Sequence, residues 1–195
     1  MRRETIDNSL IKEAGNCAAK VKSGGIILYP ADTLWGLGCD ATNEGAIEKI
    51  FIIKQRSGNK SLITLVSSWR MLQNVVAEIP VMAEDILELS NEPLTIIYPK
   101  ANNSYQHLTS KDGKIAVRLI ESGFAAELIN RLRTPLISTS ANLSGKTTNG
   151  RFEDVPKEIL DVVDCIANPI LPYKMTGQPS KMMKIEVDGR IEILR

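Results

Sequence analysis

The segment over residues 25–41 constrains the fold of this chain more than any other. It begins with an apolar, strand-like stretch that ends at Tyr29, crosses a short polar break, and continues into a run punctuated by Gly36 and Gly38. Glycines remove side chains where a ligand or another backbone must come close. A helical pattern follows at once and ends in a basic cluster. This order predicts a binding site for an anion next to the end of a strand.

Strand-like and helix-like patterns alternate along the rest of the chain. Asn43 is a predicted N-cap of a helix that presents Ile47, Ile50 and Phe51 to the core. Further helices are predicted over 6–21, 68–76, 81–89, 124–132 and 156–163. Strands are predicted over 26–29 (as a central strand), 62–66, 94–98, 115–119, 135–139, 182–187 and 190–194, the last two joined as a hairpin at Asp188-Gly189. We expect an α/β fold in a single domain over residues 1–195, with helices flanking a twisted sheet of mixed parallel and antiparallel strands.

Composition limits the classes of protein to which this chain can belong. Lys and Arg number 24 against 23 Asp and Glu, and a formal net charge of +1 gives no general affinity for nucleic acid. The three cysteines show no metal-ligand spacing and are expected to be buried or inert thiols. The N-terminus does not resemble a secretory signal, and no apolar run approaches the ~20 residues of a membrane helix. We expect a soluble, cytoplasmic protein with no membrane partner.

Three polar clusters fall at predicted strand ends, where open α/β sheets bind ligands. They are Asp32-Thr33, the basic run over 54–60, and the hydroxyl- and amide-rich run over 138–145. Lys and Arg side chains in the second run can converge on a polyphosphate, although a solvated basic loop fits the same residues. The third run suits phosphate or ribose, and it also fits a loop whose side chains cap their own backbone.

Standard catalytic signatures are absent from the sequence. It contains neither a P-loop nor the third glycine of a dinucleotide fingerprint. The single His107 lies in a polar stretch and is expected to be a surface residue. No nucleophile–base pair is evident, and Trp35 is expected in the core or in a cleft wall. Any reaction would therefore rest on positioning and electrostatics, with no catalytic residue assigned.

Five short strings, in this order, resemble a known family. Residues 29–41 read YPADTLWGLGCDA, 54–62 read KQRSGNKSL, 115–119 read IAVRL and 138–145 read STSANLSG. They are similar to YPTDTxYGLGxDA, KxRxxxKPL, VAVRxP and an almost identical STSANLSG motif in the YrdC/TsaC family of L-threonylcarbamoyladenylate synthases. Pro179-Ser180 and the terminal Ile193-Leu194-Arg195 resemble its closing motif. The resemblance covers nearly the whole chain and implies a YrdC-like fold with a large concave cleft.

The resemblance also implies a reaction. Family members use ATP with Mg²⁺, L-threonine and bicarbonate to make threonylcarbamoyl-AMP and pyrophosphate. The product supplies a tRNA modification through a separate tRNA threonylcarbamoyl-transferase complex. By position in the motifs, Lys54, Arg56, Lys60, Ser140, Asn142 and Arg195 are predicted to bind ATP. In the same way Thr33, Arg118, Ser138 and Ser180 are predicted to surround L-threonine, and no metal site is predicted beyond the Mg²⁺ carried by ATP.

Several positions depart from the family pattern. Ala31, Ser61 and Lys181 replace the usual Thr, Pro and Thr, and Leu65 stands where some members carry a threonine-contacting His. These changes leave the amino-acid specificity open. The end of the sequence at Arg195 fits the short form, without the extra C-terminal domain of longer synthases.

Two alternative functions stay open. A YciO-like paralogue would keep the fold with different nucleotide chemistry, and the altered segment over 180–183 allows it. A non-catalytic module that binds double-stranded RNA or tRNA is the other, although near-neutral charge and the lack of interleaved aromatic and basic residues oppose it. The intact set of Lys54, Arg56, Ser140 and Asn142 favours the synthase.

Overall fold

The computed structural model describes residues 7–55, 62–143, 145 and 149–195. Within these ranges the α-helices are α1 (Asn8–Lys22), α2 (Glu44–Ile53), α3 (Trp69–Val75), α4 (Met82–Leu89), α5 (Gly123–Leu132) and α6 (Lys157–Leu160). The side chain of Asn43 accepts a hydrogen bond from the Ala46 amide at 3.0 Å, which confirms the predicted N-cap of α2. In the described part of the chain, every helix falls short of the length and apolarity that crossing a bilayer requires.

The strands are β1 (Ile27–Pro30), β2 (Trp35–Asp40), β3 (Ile63–Val66), β4 (Val76–Glu78), β5 (Leu94–Tyr98), β6 (Lys100–Ala101), β7 (Ile115–Leu119), β8 (Leu136–Ser140), β9 (Cys165–Ile166), β10 (Lys181–Ile185) and β11 (Ile191–Ile193). Among the described residues they form a main sheet in the order β11-β10-β5-β7-β3-β8-β2-β1-β9. Three pairs are parallel (β1/β9, β3/β7, β5/β10) and the others antiparallel. The mixed sheet with flanking helices confirms the predicted fold class.

The glycine run of the sequence is a strand, which the sequence patterns did not predict. It is β2, paired with β1 on one side and β8 on the other. Glycine weakens strand propensity, so the pattern gave no strand signal there. A Cβ on Gly38 would lie 2.8 Å from Cε1 of the buried Tyr29 ring, and one on Gly36 would lie 3.0 Å from the Thr139 carbonyl oxygen. The expected close approach is therefore to other parts of this chain.

The other predicted strands and helices agree with the structure to different degrees. The predicted strands over 94–98 and 115–119 coincide with β5 and β7. The first predicted strand is fully buried, but β1 is second from the sheet edge and not central. The predicted helix over 156–163 is reduced to the four residues of α6, because the Asp164 amide donates to the Ile26 carbonyl at 2.8 Å as the chain turns into β9.

The polar stretch over 100–114, between β5 and β7, contains two short elements. Strand β6 pairs with β4 in a second, two-stranded sheet, and a 3-10 helix covers Asn103–Leu108. The predicted C-terminal hairpin is confirmed, since β10 and β11 pair antiparallel. Its connection is longer than two residues: the Glu186 amide donates to the Arg190 carbonyl at 2.9 Å, and Gly189 adopts φ +84°.

Candidate functional site

A cavity of about 460 Å³ opens between the β1–β2 turn, the ends of β3, β7 and β8, and the segment leading into β10. Strand β8 lies between β2 and β3, so its polar C-terminal end faces residues from both neighbours. The predicted site residues that line this cavity are Thr33, Arg118, Ser138, Ser140, Asn142, Ser180 and Arg195. The structure thus brings together residues from both predicted sets, which are far apart in sequence.

Arg118 forms a charged wall of the cavity. Its side chain is only 4% exposed, its Nη1 donates to Thr33 Oγ1 at 3.2 Å, and its Nη2 forms an ion pair with Asp32 Oδ1. Burial lowers the pKa of the guanidinium, and the Asp32 carboxylate opposes that shift. Among the described residues, Arg118 Nε has no hydrogen-bond partner. This buried N–H is an unsatisfied donor of the guanidinium.

A hydrogen bond from Tyr29 orients the hydroxyl of Ser138. The Tyr29 hydroxyl donates to Ser138 Oγ at 2.7 Å, and the tyrosine side chain is fully buried. Burial raises the pKa of this phenol well above its ordinary value, so the hydroxyl keeps its proton and remains the donor. Ser138 Oγ accepts this bond and can direct its own proton elsewhere.

Lys54 is buried beneath the loop that follows β8. Lys54 is the C-cap residue of α2, and it is 3% exposed. Its ammonium donates to the Ser140 carbonyl at 2.6 Å, the Asn142 carbonyl at 2.7 Å and Asn142 Oδ1 at 3.2 Å. Ser140 Oγ also donates to Asn142 Oδ1, at 2.5 Å. We call residues 140–142 the Ser140–Asn142 loop.

The opposite wall of the cavity comes from the C-terminal hairpin. Ser180 is buried, and its hydroxyl lies 2.8 Å from Thr95 Oγ1 on β5. Arg195 Nε donates to the Ser180 carbonyl at 3.0 Å, and the Met182 amide donates to the Arg195 carbonyl at 2.9 Å. Pairing of β10 with β11 therefore folds the C-terminal arginine back onto the cavity.

The remaining predicted residues fall outside this arrangement. Arg56 and Lys60 lie outside the described residues, so their roles stay predictions. His107 is exposed, with Nε2 2.8 Å from the Ala41 carbonyl oxygen, which confirms a surface residue. Cys17 and Cys39 are buried and Cys165 is half-buried, each as a free thiol. In the ranges that the structure describes, no group of three or more His, Cys, Asp or Glu side chains is arranged to hold a metal ion.

Sequence reasoning missed three polar partners of the site. Asp32 was recognised in a polar strand-end cluster but not as the partner of Arg118, Tyr29 only as part of a motif, and Thr95 only as part of a strand. Asp32 did carry a signal, because it is next to Thr33 in a polar strand-end cluster. Tyr29 and Thr95 carried none, because a strand pattern does not reveal which hydroxyl meets which neighbour.

Comparisons with known proteins identify relatives of this chain. The family model for Sua5, YciO and YrdC proteins, described as "Telomere recombination", matches residues 19–195. The threonylcarbamoyl-AMP synthase of Pseudoalteromonas translucida (strain TAC 125) is 38% identical over 145 residues, 73% of this chain and 76% of that protein. The protein of the same name from Pyrococcus abyssi (strain GE5 / Orsay) is 30% identical over 165 residues, 84% of this chain but 48% of its own length. The chain spans about half of that longer relative.

Solved structures give the same result. The structure of P. abyssi Sua5 complexed with L-threonine superposes with a TM-score of 0.85 at 25% identity, over 99% of this chain and 55% of that one. E. coli YciO superposes with a TM-score of 0.76 at 21% identity, over 95% of this chain and 89% of that one, which supports the fold alone. With the family model matching residues 19–195, the chain belongs to the Sua5/YciO/YrdC family.

Proposed function

We propose that this chain is a threonylcarbamoyl-AMP synthase, a nucleotidyltransferase that uses ATP, L-threonine and bicarbonate. One observation carries the proposal: a single cavity is lined both by a buried arginine with neighbouring hydroxyls and by the Ser140–Asn142 segment. A carboxylate ligand and a nucleotide can therefore be held within one space of about 460 Å³. Relatives with this name and the threonine complex of Sua5 support the choice of substrates.

The amino acid would be held by the wall that contains Arg118. A guanidinium offers a planar fork of donors that matches a carboxylate, and burial strengthens such a charge-assisted bond. Thr33, Ser138 and Ser180 supply further hydroxyls that line the same cavity. These hydroxyls are suited to the ammonium and hydroxyl groups of threonine. Leu65, which lines the cavity, adds an apolar surface where some family members have a histidine.

ATP would be held by the opposite part of the cavity. Ser140, Asn142 and Arg195 line it there, and Arg56 and Lys60 are assigned to the triphosphate from the sequence motif alone. Mg²⁺ belongs to the Mg·ATP substrate in this proposal and is held by phosphate oxygens. The chain's own contribution is to hold the two substrates in line and to offset negative charge.

The proposed reaction has two steps. The neutral amine of threonine forms a bond to the carbon of bicarbonate, and a C–O bond of bicarbonate breaks to release water, which leaves a carbamate. A carbamate oxygen then forms a bond to the α-phosphorus of ATP, and the bond to the β-phosphate oxygen breaks to release pyrophosphate. Arg118 would fix the threonine carboxylate so that the amine points to ATP. We assign no side-chain base, and the rate would come from orientation.

The wider setting belongs to the same proposal. Threonylcarbamoyl-AMP would pass to a separate tRNA threonylcarbamoyl-transferase complex in the cytoplasm, and the chain would act as one domain over residues 1–195. Of the two alternatives, the YciO-like paralogue is compatible with the superposition on E. coli YciO. The RNA-binding module is not supported by a net charge of +1.

Pyrophosphate release from ATP and bicarbonate tests the proposal, measured with L-threonine, with L-serine and without an amino acid. We expect release that depends on threonine and is lost in Arg118→Ala. Arg56→Ala is expected to weaken ATP binding far more than threonine binding. Exposed Lys49→Met serves as the surface control and should retain wild-type release. Release without threonine dependence, or ATP binding without release, would favour the paralogue.

A further inference from the structure

The ammonium of Lys54 has no donor left over for a phosphate in the arrangement seen here. A lysine ammonium carries three N–H bonds. Three acceptors surround it, namely the carbonyl oxygens of Ser140 and Asn142 at 2.6 and 2.7 Å and Asn142 Oδ1 at 3.2 Å. The residue is 3% exposed, so it is enclosed by protein. Its charge is thus directed at the backbone of the Ser140–Asn142 loop.

The base of the side chain is fixed as well. Lys54 caps the C-terminus of α2, and its amide donates to the carbonyl of the fully buried Ile50 at 3.0 Å. The next residue, Gln55, takes a left-handed conformation with φ 49°, which ends the helix. A cation at a helix C-terminus also interacts favourably with the helix dipole. Lys54 therefore joins a rigid helix end to the loop after β8.

These bonds determine which atoms of the loop can still donate or accept a hydrogen bond. Asn142 Oδ1 accepts from both Lys54 and Ser140 Oγ, which uses its two lone pairs. Ser140 Oγ has committed its proton to that bond and presents only lone pairs to the cavity. A phosphate oxygen cannot donate to such an oxygen, whereas a ribose hydroxyl can. The Ser140–Asn142 loop is therefore suited to the nucleoside part of ATP.

We infer that Lys54 is a positioning residue, which shapes the Ser140–Asn142 loop for the nucleoside of ATP instead of binding a phosphate itself. The inference rests on the proposed function, because it takes the cavity to bind ATP. It differs from the motif-based prediction, in which Lys54 contacts ATP directly. Its consequence is that losing Lys54 impairs binding of a ligand without any phosphate.

Affinity for ATP and for adenosine separates the two roles. In Lys54→Met, a positioning role predicts that both affinities fall by the same factor, about tenfold, since hydrogen bonds from a charged donor to the loop are lost. Lys54→Arg keeps the positive charge but not the hydrogen-bond geometry to the three acceptors, so it should also weaken the binding of adenosine. Lys49→Met, on an exposed part of α2, should change neither value. Loss of ATP affinity with unchanged adenosine affinity, or full rescue by Lys54→Arg, would overturn the inference.

A double-mutant cycle adds a second test. Asn142→Ala removes one acceptor of Lys54 and the partner of Ser140 Oγ. If Lys54 acts through this loop, Lys54→Met should cost much less adenosine affinity in the Asn142→Ala background than in the wild type. Full additivity of the two losses would contradict the inference.

Hydrogen exchange in the ligand-free protein keeps this test separate from the proposed function. Lys54→Met should accelerate amide exchange at residues 140–143 by at least tenfold, while Lys49→Met leaves it unchanged. If the wild-type protein binds neither ATP nor adenosine, the proposed function fails, and the exchange rates still decide whether Lys54 holds the loop. Unchanged exchange in Lys54→Met would overturn the positioning role.

Discussion

Arg118 on β7 and Asp32 on the β1–β2 turn form an ion pair at the edge of the cavity. The arginine is 4% exposed and the aspartate side chain 34% exposed, so the pair runs from the cavity wall toward solvent. The guanidinium that is proposed to bind a substrate carboxylate already faces one carboxylate. An incoming carboxylate must share the positive charge with Asp32, which sets both the stability of the site and its affinity.

Asp32→Asn should reduce stability and strengthen amino-acid binding. Removing one partner leaves a buried charge uncompensated, which we expect to cost about 1–3 kcal/mol of unfolding free energy. The same uncompensated charge attracts a ligand carboxylate more strongly, by about tenfold in Kd for L-threonine. Urea unfolding and calorimetric titration measure the two effects.

A matched control for Asp32→Asn is Glu127→Gln, which removes a carboxylate from the more exposed pair with Arg131. It should change stability by less than about 0.5 kcal/mol and leave threonine binding unchanged. Weaker threonine binding in Asp32→Asn would mean that Asp32 serves mainly to orient Arg118.

Gly38→Ala should destabilise the fold. The added Cβ would lie 2.8 Å from the ring of the fully buried Tyr29 and 3.2 Å from the Ile137 carbonyl oxygen. Overpacking of this kind costs about 1–3 kcal/mol, and displacing Tyr29 would also disturb its bond to Ser138. Gly45→Ala on α2 is the control, with only an ordinary 3.6 Å contact and a gain of up to about 1 kcal/mol. Equal urea midpoints for the two variants would contradict this packing argument.

Removing a tyrosine hydroxyl should have opposite consequences at two buried positions. The hydroxyl of Tyr29 donates to Ser138, whereas that of Tyr98 has no hydrogen-bond partner among the described residues. Tyr29→Phe should cost about 1 kcal/mol, and Tyr98→Phe should be neutral or stabilising at pH 7. Urea unfolding of both variants tests this, and a larger loss for Tyr98→Phe would refute it.

Stability should fall in alkali. Burial raises the pKa of Tyr29 and Tyr98 in the folded state well above the value of about 10 in an unfolded chain. Above that pH the unfolded chain loses protons that the folded protein retains, so the unfolding free energy decreases as pH rises through about 10. Tyr98→Phe should reduce this decrease. Urea unfolding midpoints at pH 8 and pH 10.5 measure the loss of stability. Equal midpoints at the two pH values would contradict the prediction.

The buried thiols should be unreactive in the folded protein. Burial raises the pKa of Cys39 to about 12 and that of Cys17 higher still. At pH 8 the thiolate fraction of Cys39 is then on the order of 10⁻⁴. Half-buried Cys165, whose thiol contacts Cys17, should react first with a thiol-specific reagent. Mass spectrometry after brief labelling checks the order, with unfolded protein as the reference; rapid native labelling of Cys39 would contradict it.

Much of the fold was predictable because its elements carry local signals. Strands β5 and β7 and the N-cap at Asn43 follow from apolar runs and a capping side chain. Strand β2 was missed because glycine gives no strand signal, although there the missing side chains make room for Tyr29 and Thr139. The length of α6 was overestimated, because a tertiary hydrogen bond at Asp164 takes the chain out of the helix.

The sequence by itself determined the alternation of strands and helices, the family and seven of the residues that line the cavity. Motif order sufficed for these, because each motif is a contiguous string that can be read directly from the sequence. Only the tertiary structure decided that Arg118 faces Asp32, that Tyr29 orients Ser138, and that Lys54 donates to the Ser140–Asn142 loop. These contacts depend on the insertion of β3 between β7 and β8 and on side-chain directions across the sheet. Periodicity places a residue on a face, but it does not specify which distant donor will meet which acceptor.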